Sequence, residues 1–270
     1  MLIISVFGLK IYLIMTFYQA IFLATLQGIT EFLPVSSSGH LVLFQKIFKI
    51  TQPPVFFDVL LHLGTLMAIV FFLGKEIILL LKQWRERKKE WLFVILGSIP
   101  AALFGFILNS KIEIIFDSLK LVGIMWISFG LFLLSTRLLI NPLSSVKKIS
   151  AMKWMDAAIV GLFQALALIP GISRSGSTII GGLFRKLSKE EAFNFSFLLS
   201  IPAVLGAMIL KIKDSDFNGV GIGLGVVSVT VAALVGLIFL KFLEKVLKSN
   251  KLYLFGIYCL ILGLGVYFYL

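Results

Sequence analysis

The residues best suited to chemistry form a short polar stretch in the middle of an apolar chain. This stretch places an arginine among small residues: Arg174, with Ser173, Ser175, Gly176, Ser177 and Thr178. Pro170 and Gly171 precede it and interrupt a helix, because proline lacks an N–H and glycine favours unusual dihedral angles. A guanidinium, hydroxyl groups and consecutive backbone N–H groups together suit a phosphate group. The alternative is a polar loop outside a membrane, but the apolar residues 162–169 and 179–184 on both sides favour a buried phosphate site.

A second polar stretch carries the candidate proton-handling residues. Gln27 and Glu31 are four residues apart and therefore lie on one face of a helix. After Pro34 the chain continues with small residues and a histidine: Ser36, Ser37, Ser38, Gly39 and His40. An ionisable residue at membrane depth costs at least ~2.5 kcal/mol on insertion scales, so it marks a functional site by default. The alternatives are a glutamate at the headgroup boundary and a structural histidine, but the combination of Glu31, His40 and three serines favours function.

A third pair leaves two interpretations open. Asp58 and His62, also four residues apart, lie in the first turns of an apolar segment, residues 55–73. They either line the same polar cavity as Glu31 or cap the helix at the membrane interface.

The composition is typical of an integral membrane protein. Hydrophobic residues make up 59% and charged residues 14% of the 270 residues, and the mean hydropathy is +1.06. These values exclude an ordinary soluble domain. The net charge of +12 comes from short basic loops between apolar segments and does not indicate nucleic-acid binding. Because Cys259 is the single cysteine, an intramolecular disulfide and a cysteine-based metal site are excluded.

The elements that must position the polar residues are helical. The pattern predicts one broken helical hairpin with helices at 17–33 and 41–48, and a second that begins at Trp154 and breaks at Pro170. It predicts membrane spans at about 55–73, 91–108, 119–139, 190–210, 219–240 and 252–270, with a solvated charged loop at 75–90. Residues 1–14 carry nothing chemical and do not form a convincing cleavable signal, and translation starts at either Met1 or Met15.

The two halves of the chain repeat weakly. Gln27, Ser36, Ser38 and Gly39 align with Gln164, Ser173, Ser175 and Gly176 at a shift of 137 residues, and two further short matches follow in the same order. One domain, residues 1–270, therefore contains two repeats, about 15–140 and 153–270, each a broken re-entrant hairpin plus three transmembrane helices. Three spans per half is an odd number, so the repeats have inverted topology. The two polar turns are then expected to meet near the bilayer midplane.

The distribution of basic residues predicts the orientation. Seventeen of the 25 lysines and arginines lie in segments 75–90, 137–153, 185–189 and 241–251, which all fall on one side of the predicted topology. Because cytoplasmic loops are enriched in lysine and arginine, that side is expected to be cytoplasmic. The C-terminus is then expected outside the cytoplasm.

Both polar stretches resemble the signature motifs of a known family. Gln27-x-x-x-Glu31-Phe-Leu-Pro-Val-Ser-Ser-Ser-Gly-His40 and Pro170-Gly-Ile-Ser-Arg-Ser-Gly176 are similar to the two motifs of the bacterial undecaprenyl-diphosphate phosphatases, the bacitracin-resistance family. The resemblance extends from about Met15 to the C-terminus. It implies a multi-pass enzyme of the bacterial cytoplasmic membrane that hydrolyses undecaprenyl diphosphate to the monophosphate carrier lipid of cell-wall synthesis. The family's first motif begins with glutamate or glutamine, so with Gln27 here only Glu31 supplies a motif carboxylate.

The resemblance also implies roles for the site residues. Arg174 would clamp the diphosphate, and Glu31 and His40 are the acid–base candidates. The nucleophile is water, a serine of the 36–38 turn such as Ser37, or His40. The remaining polar residues are expected to bind substrate: Gln27, Ser36, Ser38, Ser173, Ser175, Gly176, Ser177 and Thr178. A divalent cation, Mg²⁺ or Ca²⁺, is expected with the diphosphate, and Glu31 offers it an oxygen ligand, as does Gln27.

The rival function is transport. Inverted repeats, broken helices and a midplane site are also found in secondary carriers, so a polyprenyl-phosphate flippase could use the same pocket without cutting its lipid. The pair Glu31 and His40 favours an enzyme, because binding alone does not require acid–base groups. The expected partners are the polyprenyl diphosphate and membrane lipids, with no nucleic acid; the sequence does not determine whether the protein forms a homo-oligomer.

Overall fold

The computed structural model describes residues 2–6, 9–13, 15–50, 55–139, 146–212 and 220–270, of which 2–6, 9–13, 109–117, 138, 139 and 212 are described by their backbone alone. Two short strands come first, β1 (Leu2–Val6) and β2 (Leu9–Leu13), and they pair in antiparallel register with Leu2 opposite Leu13. All the other regular elements in the described residues are helices. The predicted all-α polytopic class is therefore confirmed, with one small N-terminal hairpin of strands added to it.

The first broken hairpin consists of α1 (Phe17–Thr30) and α2 (Ser37–Ile47). The predicted boundaries were wrong by several residues, because α1 ends before Glu31 and α2 begins at Ser37 instead of Leu41. The early start of α2 has a local cause: the Ser36 hydroxyl accepts a hydrogen bond from the Gly39 N–H at 3.4 Å and caps the helix. Ser36 adopts a positive φ of 66°, a conformation that non-glycine residues adopt rarely.

The second broken hairpin consists of α7 (Trp154–Leu166) and α8 (Arg174–Phe184). Ser173 caps α8 by accepting from the Gly176 N–H at 3.3 Å, so Arg174 lies in the first helical turn instead of an open loop. Gly171 has a φ of +99°, and a Cβ at this position would lie 2.6 Å from the Met125 Cβ. Both the backbone conformation and the space therefore require glycine at this break.

The remaining long helices match the predicted spans in order. They are α3 (Val55–Phe72), α5 (Lys88–Asp117), α6 (Leu119–Leu139), α9 (Lys189–Ile212), α10 (Ile222–Lys248) and α11 (Tyr253–Tyr269). Five helices of the described residues, α3, α5, α6, α9 and α10, are long and apolar enough to cross a bilayer, and α11 is a shorter apolar helix of 17 residues. The protein is thus a multi-pass membrane protein.

The predicted solvated loop at 75–90 was wrong. It contains the helix α4 (Gly74–Lys82), in which Leu80 is buried. The apolar run 77–81 explains the difference, because these residues form one helical turn and a half whose inner side packs on the core. A short 3₁₀ turn, Ile149–Ala151, precedes α7.

Close contacts between glycines join helices from the two halves of the sequence. Gly123 and Gly130 of α6 meet Gly263 and Gly256 of α11, where an added Cβ would lie within 3.0 Å of the facing carbonyl oxygen. In the same way α5 meets α7 through Gly97 and Gly161, and α1 meets α10 at Gly28. Small residues allow such close approach, which drives helix association where lipid removes the hydrophobic effect. The inverted repeat and its boundaries at about 140 and 153 stay a prediction.

Candidate active site

The turns of the two broken hairpins are bonded to each other. The Gly171 N–H donates to the Ser36 hydroxyl at 3.0 Å, and the hydroxyls of Ser173 and Ser175 donate to the Leu33 carbonyl at 3.3 and 3.4 Å. All three serines are buried. These side chains, expected to bind substrate, therefore connect the two breaks in this structure, and substrate binding by them stays a prediction.

Glu31 is the centre at which the side chains of both hairpins meet. Arg174 Nη2 donates to Glu31 Oε1 at 2.8 Å, and the Ser37 hydroxyl donates to Glu31 Oε2 at 2.6 Å. Gln27 Nε2 donates to the same Oε2 at 3.1 Å. The carboxylate is only 8% exposed, so its charge is offset by Arg174 and by two neutral donors instead of by water. The structure thus brings together four of the residues that the sequence singled out.

His62 also belongs to this group, although the sequence left its place open. Its Nδ1 lies 3.8 Å from Glu31 Oε2 and 3.1 Å from Gln27 Nε2. Of the two interpretations of the Asp58–His62 pair, the polar cavity is the one that applies to His62. The Asp58 carboxylate instead accepts a hydrogen bond from Gln45 Nε2 at 3.0 Å. The spacing of four residues was the signal, but it did not show which member would turn towards Glu31.

His40 is hydrogen-bonded to the first hairpin break and to α11. Its Nδ1 lies 2.7 Å from the Ser36 carbonyl oxygen, and its Nε2 lies 2.7 Å from the Tyr258 hydroxyl of α11. The ring is 1% exposed and contacts Trp126 edge-on, with centroids 5.1 Å apart. Both ring nitrogens are therefore engaged, and the hydrogen bonds of Glu31 come from other residues. Tyr258 could not be predicted as a site residue, because nothing in its apolar surroundings marks it.

Two buried polar atoms in the site have no hydrogen-bond partner among the described residues. They are Nη1 of Arg174 and Oε1 of Gln27, a donor and an acceptor. A free guanidinium nitrogen beside an ion-paired one is the geometry that a phosphate oxygen completes. The guanidinium also lies over the ring of Phe197, 5.7 Å from its centroid, which holds the plane of the fork.

The unpartnered Oε1 of Gln27 bears on whether a divalent cation fits the site. Among the described residues no group of three or more His, Cys, Asp or Glu side chains could hold a metal on its own. Glu31 and the free Oε1 of Gln27 nevertheless supply two oxygen ligands of the hard type that Mg²⁺ and Ca²⁺ prefer. Mg²⁺ sites commonly combine one or two carboxylates with substrate phosphates and water. The residues therefore fit a cation that arrives with a diphosphate.

The other predicted ligands lie around this centre. Thr178 Oγ1 donates to the Arg174 carbonyl at 2.8 Å and lies 2.5 Å from the Ser196 hydroxyl. Ser177 is buried in the first turn of α8, and a Cβ at Gly176 would lie 2.7 Å from the Pro34 Cβ. Ser38, like Ser37, is partly exposed. Within the serine turn, these two side chains are therefore the ones that a substrate can reach.

Comparison with known proteins gives a consistent result over almost the whole chain. A family model described as bacitracin resistance protein BacA matches residues 20–265. An undecaprenyl-diphosphatase of Desulforapulum autotrophicum is 41% identical over 93% of this chain and 97% of its own length. Those of Thermosipho africanus and Thermosipho melanesiensis are 41% and 42% identical, over 92% and 90% of this chain and 98% and 96% of their own lengths.

Proposed function

Because the chain belongs to the bacitracin resistance protein BacA family, we propose that it hydrolyses undecaprenyl diphosphate to undecaprenyl phosphate and inorganic phosphate. The enzyme would act in the bacterial cytoplasmic membrane, where it recycles the carrier lipid for peptidoglycan synthesis and confers resistance to bacitracin. The observation that carries the proposal is the Arg174–Glu31–Ser37 group, in which a cation, a carboxylate and a hydroxyl meet inside a membrane protein.

Arg174 is assigned to the diphosphate. Its Nη1 is buried without a partner among the described residues, and its Nη2 is held by Glu31, so the guanidinium is oriented before substrate binds. A planar fork can donate two parallel hydrogen bonds to a phosphate and offset the charge that develops on the transferred group. Because the fork is already fixed by Glu31 and Phe197, little side-chain freedom is lost on binding.

Ser37 and Glu31 form the reacting pair. The Ser37 hydroxyl points its proton at Glu31 Oε2, which is the arrangement of a nucleophile and its base. The Ser37 oxygen would bond to the terminal phosphorus while the bond from phosphorus to the bridging oxygen breaks. Glu31 takes the hydroxyl proton and passes it to the leaving undecaprenyl phosphate. Water then cleaves the bond between phosphorus and the Ser37 oxygen: Glu31 accepts a proton from the water and returns it to Ser37 as inorganic phosphate is released. His40 would act through the Ser36–Ser37 turn, because its Nδ1 lies 2.7 Å from the Ser36 carbonyl oxygen.

In this scheme a divalent cation would bind together with the diphosphate of the substrate. Glu31 and the Oε1 of Gln27 would hold it, and it would supply charge neutralisation for the diphosphate. The protein itself contributes the Glu31 carboxylate, the Gln27 amide oxygen and the Arg174 guanidinium. Gln27 also orients Glu31 directly, since its Nε2 donates to Oε2.

Release of inorganic phosphate in detergent tests the function, because transport is impossible there. The purified protein with a polyprenyl diphosphate should release phosphate, and Arg174→Lys should lose at least about tenfold in rate, or ~1.4 kcal/mol of transition-state stabilisation. Lysine keeps the charge but lacks the fork that completes a bidentate contact. Arg137→Lys is the matched control, because Arg137 contacts the ring of Tyr253 at the basic end of α6. Binding without phosphate release by the wild type would favour the flippase. Near-normal turnover of Arg174→Lys would show that the guanidinium does not clamp the diphosphate.

The orientation of the chain is proposed from the basic segments. Lys147 and the neighbouring Val146 should face the cytoplasm, and Leu270 should face outside. Two positions that suggest themselves from the sequence, Ser145 and Ser215, lie outside the described residues, so exposed Val146 and Leu270 are better sites for probes. In a Cys259→Ala background, a membrane-impermeant thiol reagent should label Leu270→Cys in intact cells and Val146→Cys only after permeabilisation. The reverse pattern would invert the proposed topology.

A further inference from the structure

Tyr258 reaches a candidate catalytic residue from a helix that carries none of the sequence motifs. It lies in the middle of α11, 218 residues from His40, and its hydroxyl is 2.7 Å from His40 Nε2. The residue as a whole is 45% exposed, so part of its side chain faces outwards while its hydroxyl turns inwards. An apolar helix facing lipid does not by itself require a tyrosine here, because the hydroxyl adds nothing to packing against hydrocarbon.

The hydrogen bonds of His40 determine which of its nitrogens carries the proton. A carbonyl oxygen only accepts, so the 2.7 Å contact with the Ser36 carbonyl requires the proton on Nδ1. In the neutral ring Nε2 then holds the lone pair, and the Tyr258 hydroxyl must donate to it. When the ring is protonated, the hydrogen bond between Nε2 and the Tyr258 hydroxyl reverses its direction. Nε2–H then donates, and the phenol oxygen accepts.

Two aromatic rings also flank the ring of His40. The Tyr258 ring lies with its centroid 5.8 Å away and its plane 8° from parallel, and Trp126 meets the imidazole at 74°. Trp126 is itself fixed by donating its Nε1–H to the Val35 carbonyl at 2.8 Å, within the first hairpin break. His40 is therefore oriented by Tyr258 on one side and by the break on the other.

We propose that Tyr258 is a positioning residue: it donates to Nε2 of the Nδ1–H tautomer that the Ser36 carbonyl sets, and so directs the Nε2 of His40 towards α11; this rests on the proposed phosphatase function. While the Tyr258 hydroxyl occupies Nε2, that lone pair is unavailable as a nucleophile. Protons reach or leave Nε2 by way of the phenol hydroxyl. Tyr258 acts on the reaction through His40 and not by contact with the substrate.

The tautomer can be measured directly, since the chain contains two histidines. With nitrogen-15 labelled histidine, a His62→Gln variant identifies the His40 signals in the spectrum of the wild type. Neutral His40 should be protonated at Nδ1 and unprotonated at Nε2. Tyr258→Phe keeps the aromatic ring but removes the hydroxyl, so the Nε2 signal should shift while the Ser36 carbonyl keeps the proton on Nδ1. Tyr267→Phe, in the same helix and without contact to His40, should leave the spectrum unchanged.

Kinetics separates positioning from a structural role. Tyr258→Phe should lower kcat for phosphate release about tenfold with KM unchanged within about twofold, because binding by Arg174 is retained. Tyr267→Phe should behave as the wild type. The proposal is overturned if His40 of the wild type carries its neutral-state proton on Nε2, or if Tyr258→Phe retains both the spectrum and kcat. If the wild type releases no phosphate, the proposed function fails, whereas the wild-type spectrum still decides the placement of Tyr258.

Discussion

Replacement of Glu31 by glutamine is expected to lower kcat for phosphate release by about 10²–10⁴-fold, the usual contribution of a positioned general base. Glutamine keeps the size and hydrogen-bonding reach of the side chain, but an amide cannot accept the proton of the Ser37 hydroxyl. It also removes the ion pair that holds Arg174 Nη2. Initial rates of phosphate release from a polyprenyl diphosphate in detergent measure the effect.

Substrate binding distinguishes loss of chemistry from loss of structure in this variant. Arg174 remains in Glu31→Gln, so the variant should still bind the lipid diphosphate, measured by equilibrium binding in detergent. Glu244→Gln is a matched control, because Glu244 pairs with Lys248 at the exposed end of α10. If Glu31→Gln folds, binds and hydrolyses at a near-normal rate, the carboxylate is structural and the chemistry belongs to His40 and the serine turn.

The broken hairpins could be predicted because their signals are local. Pro34 and the pair Pro170–Gly171 disfavour a continuous helix, and small polar residues follow each break. The meeting of Glu31 with Arg174, 143 residues apart, is consistent with the inverted topology that the odd number of spans per half predicts, and that topology stays a prediction. The exact helix starts could not be predicted, because the capping by Ser36 and Ser173 turns residues of the apparent loops into first helical turns.

The partners contributed by other helices could not be predicted. The spacing of Asp58 and His62 offered the cavity of Glu31 as one of two interpretations, and only the packing of α3 decides between them. The hydroxyl of Tyr258 enters the site through the packing of α11, which no local pattern specifies. Their helices are apolar and similar in composition to every other span, so tertiary packing alone selects the residue that turns inwards. The helix α4 was not predicted because the many charged residues of segment 75–90 indicated a solvated loop, although the segment contains one short apolar run.

Removal of the Ser37 hydroxyl is expected to have the largest effect of all. Ser37→Ala should lower phosphate release at least about 10³-fold, because loss of a nucleophile removes the covalent route and cannot be repaired by its base. Ser38→Ala is the matched control: Ser38 is the next residue of the same helix and is also partly exposed, but its hydroxyl lies 3.3 Å from that of Ser36 instead of on Glu31. Its rate should fall by less than about tenfold, the range for one weak neutral hydrogen bond.

The chemical state of Ser37 provides the decisive measurement. A covalent route transfers the terminal phosphoryl group to the Ser37 oxygen, so rapid acid quenching of the working enzyme should yield a phosphorylated peptide that contains Ser37. Its abundance should rise when the second step is slowed, and it should be absent from Ser37→Ala and present in Ser38→Ala. Without a phosphopeptide, and with Ser37→Ala close to Ser38→Ala in rate, water must attack phosphorus directly. Glu31 would then activate that water from the same oxygen that now accepts the Ser37 proton.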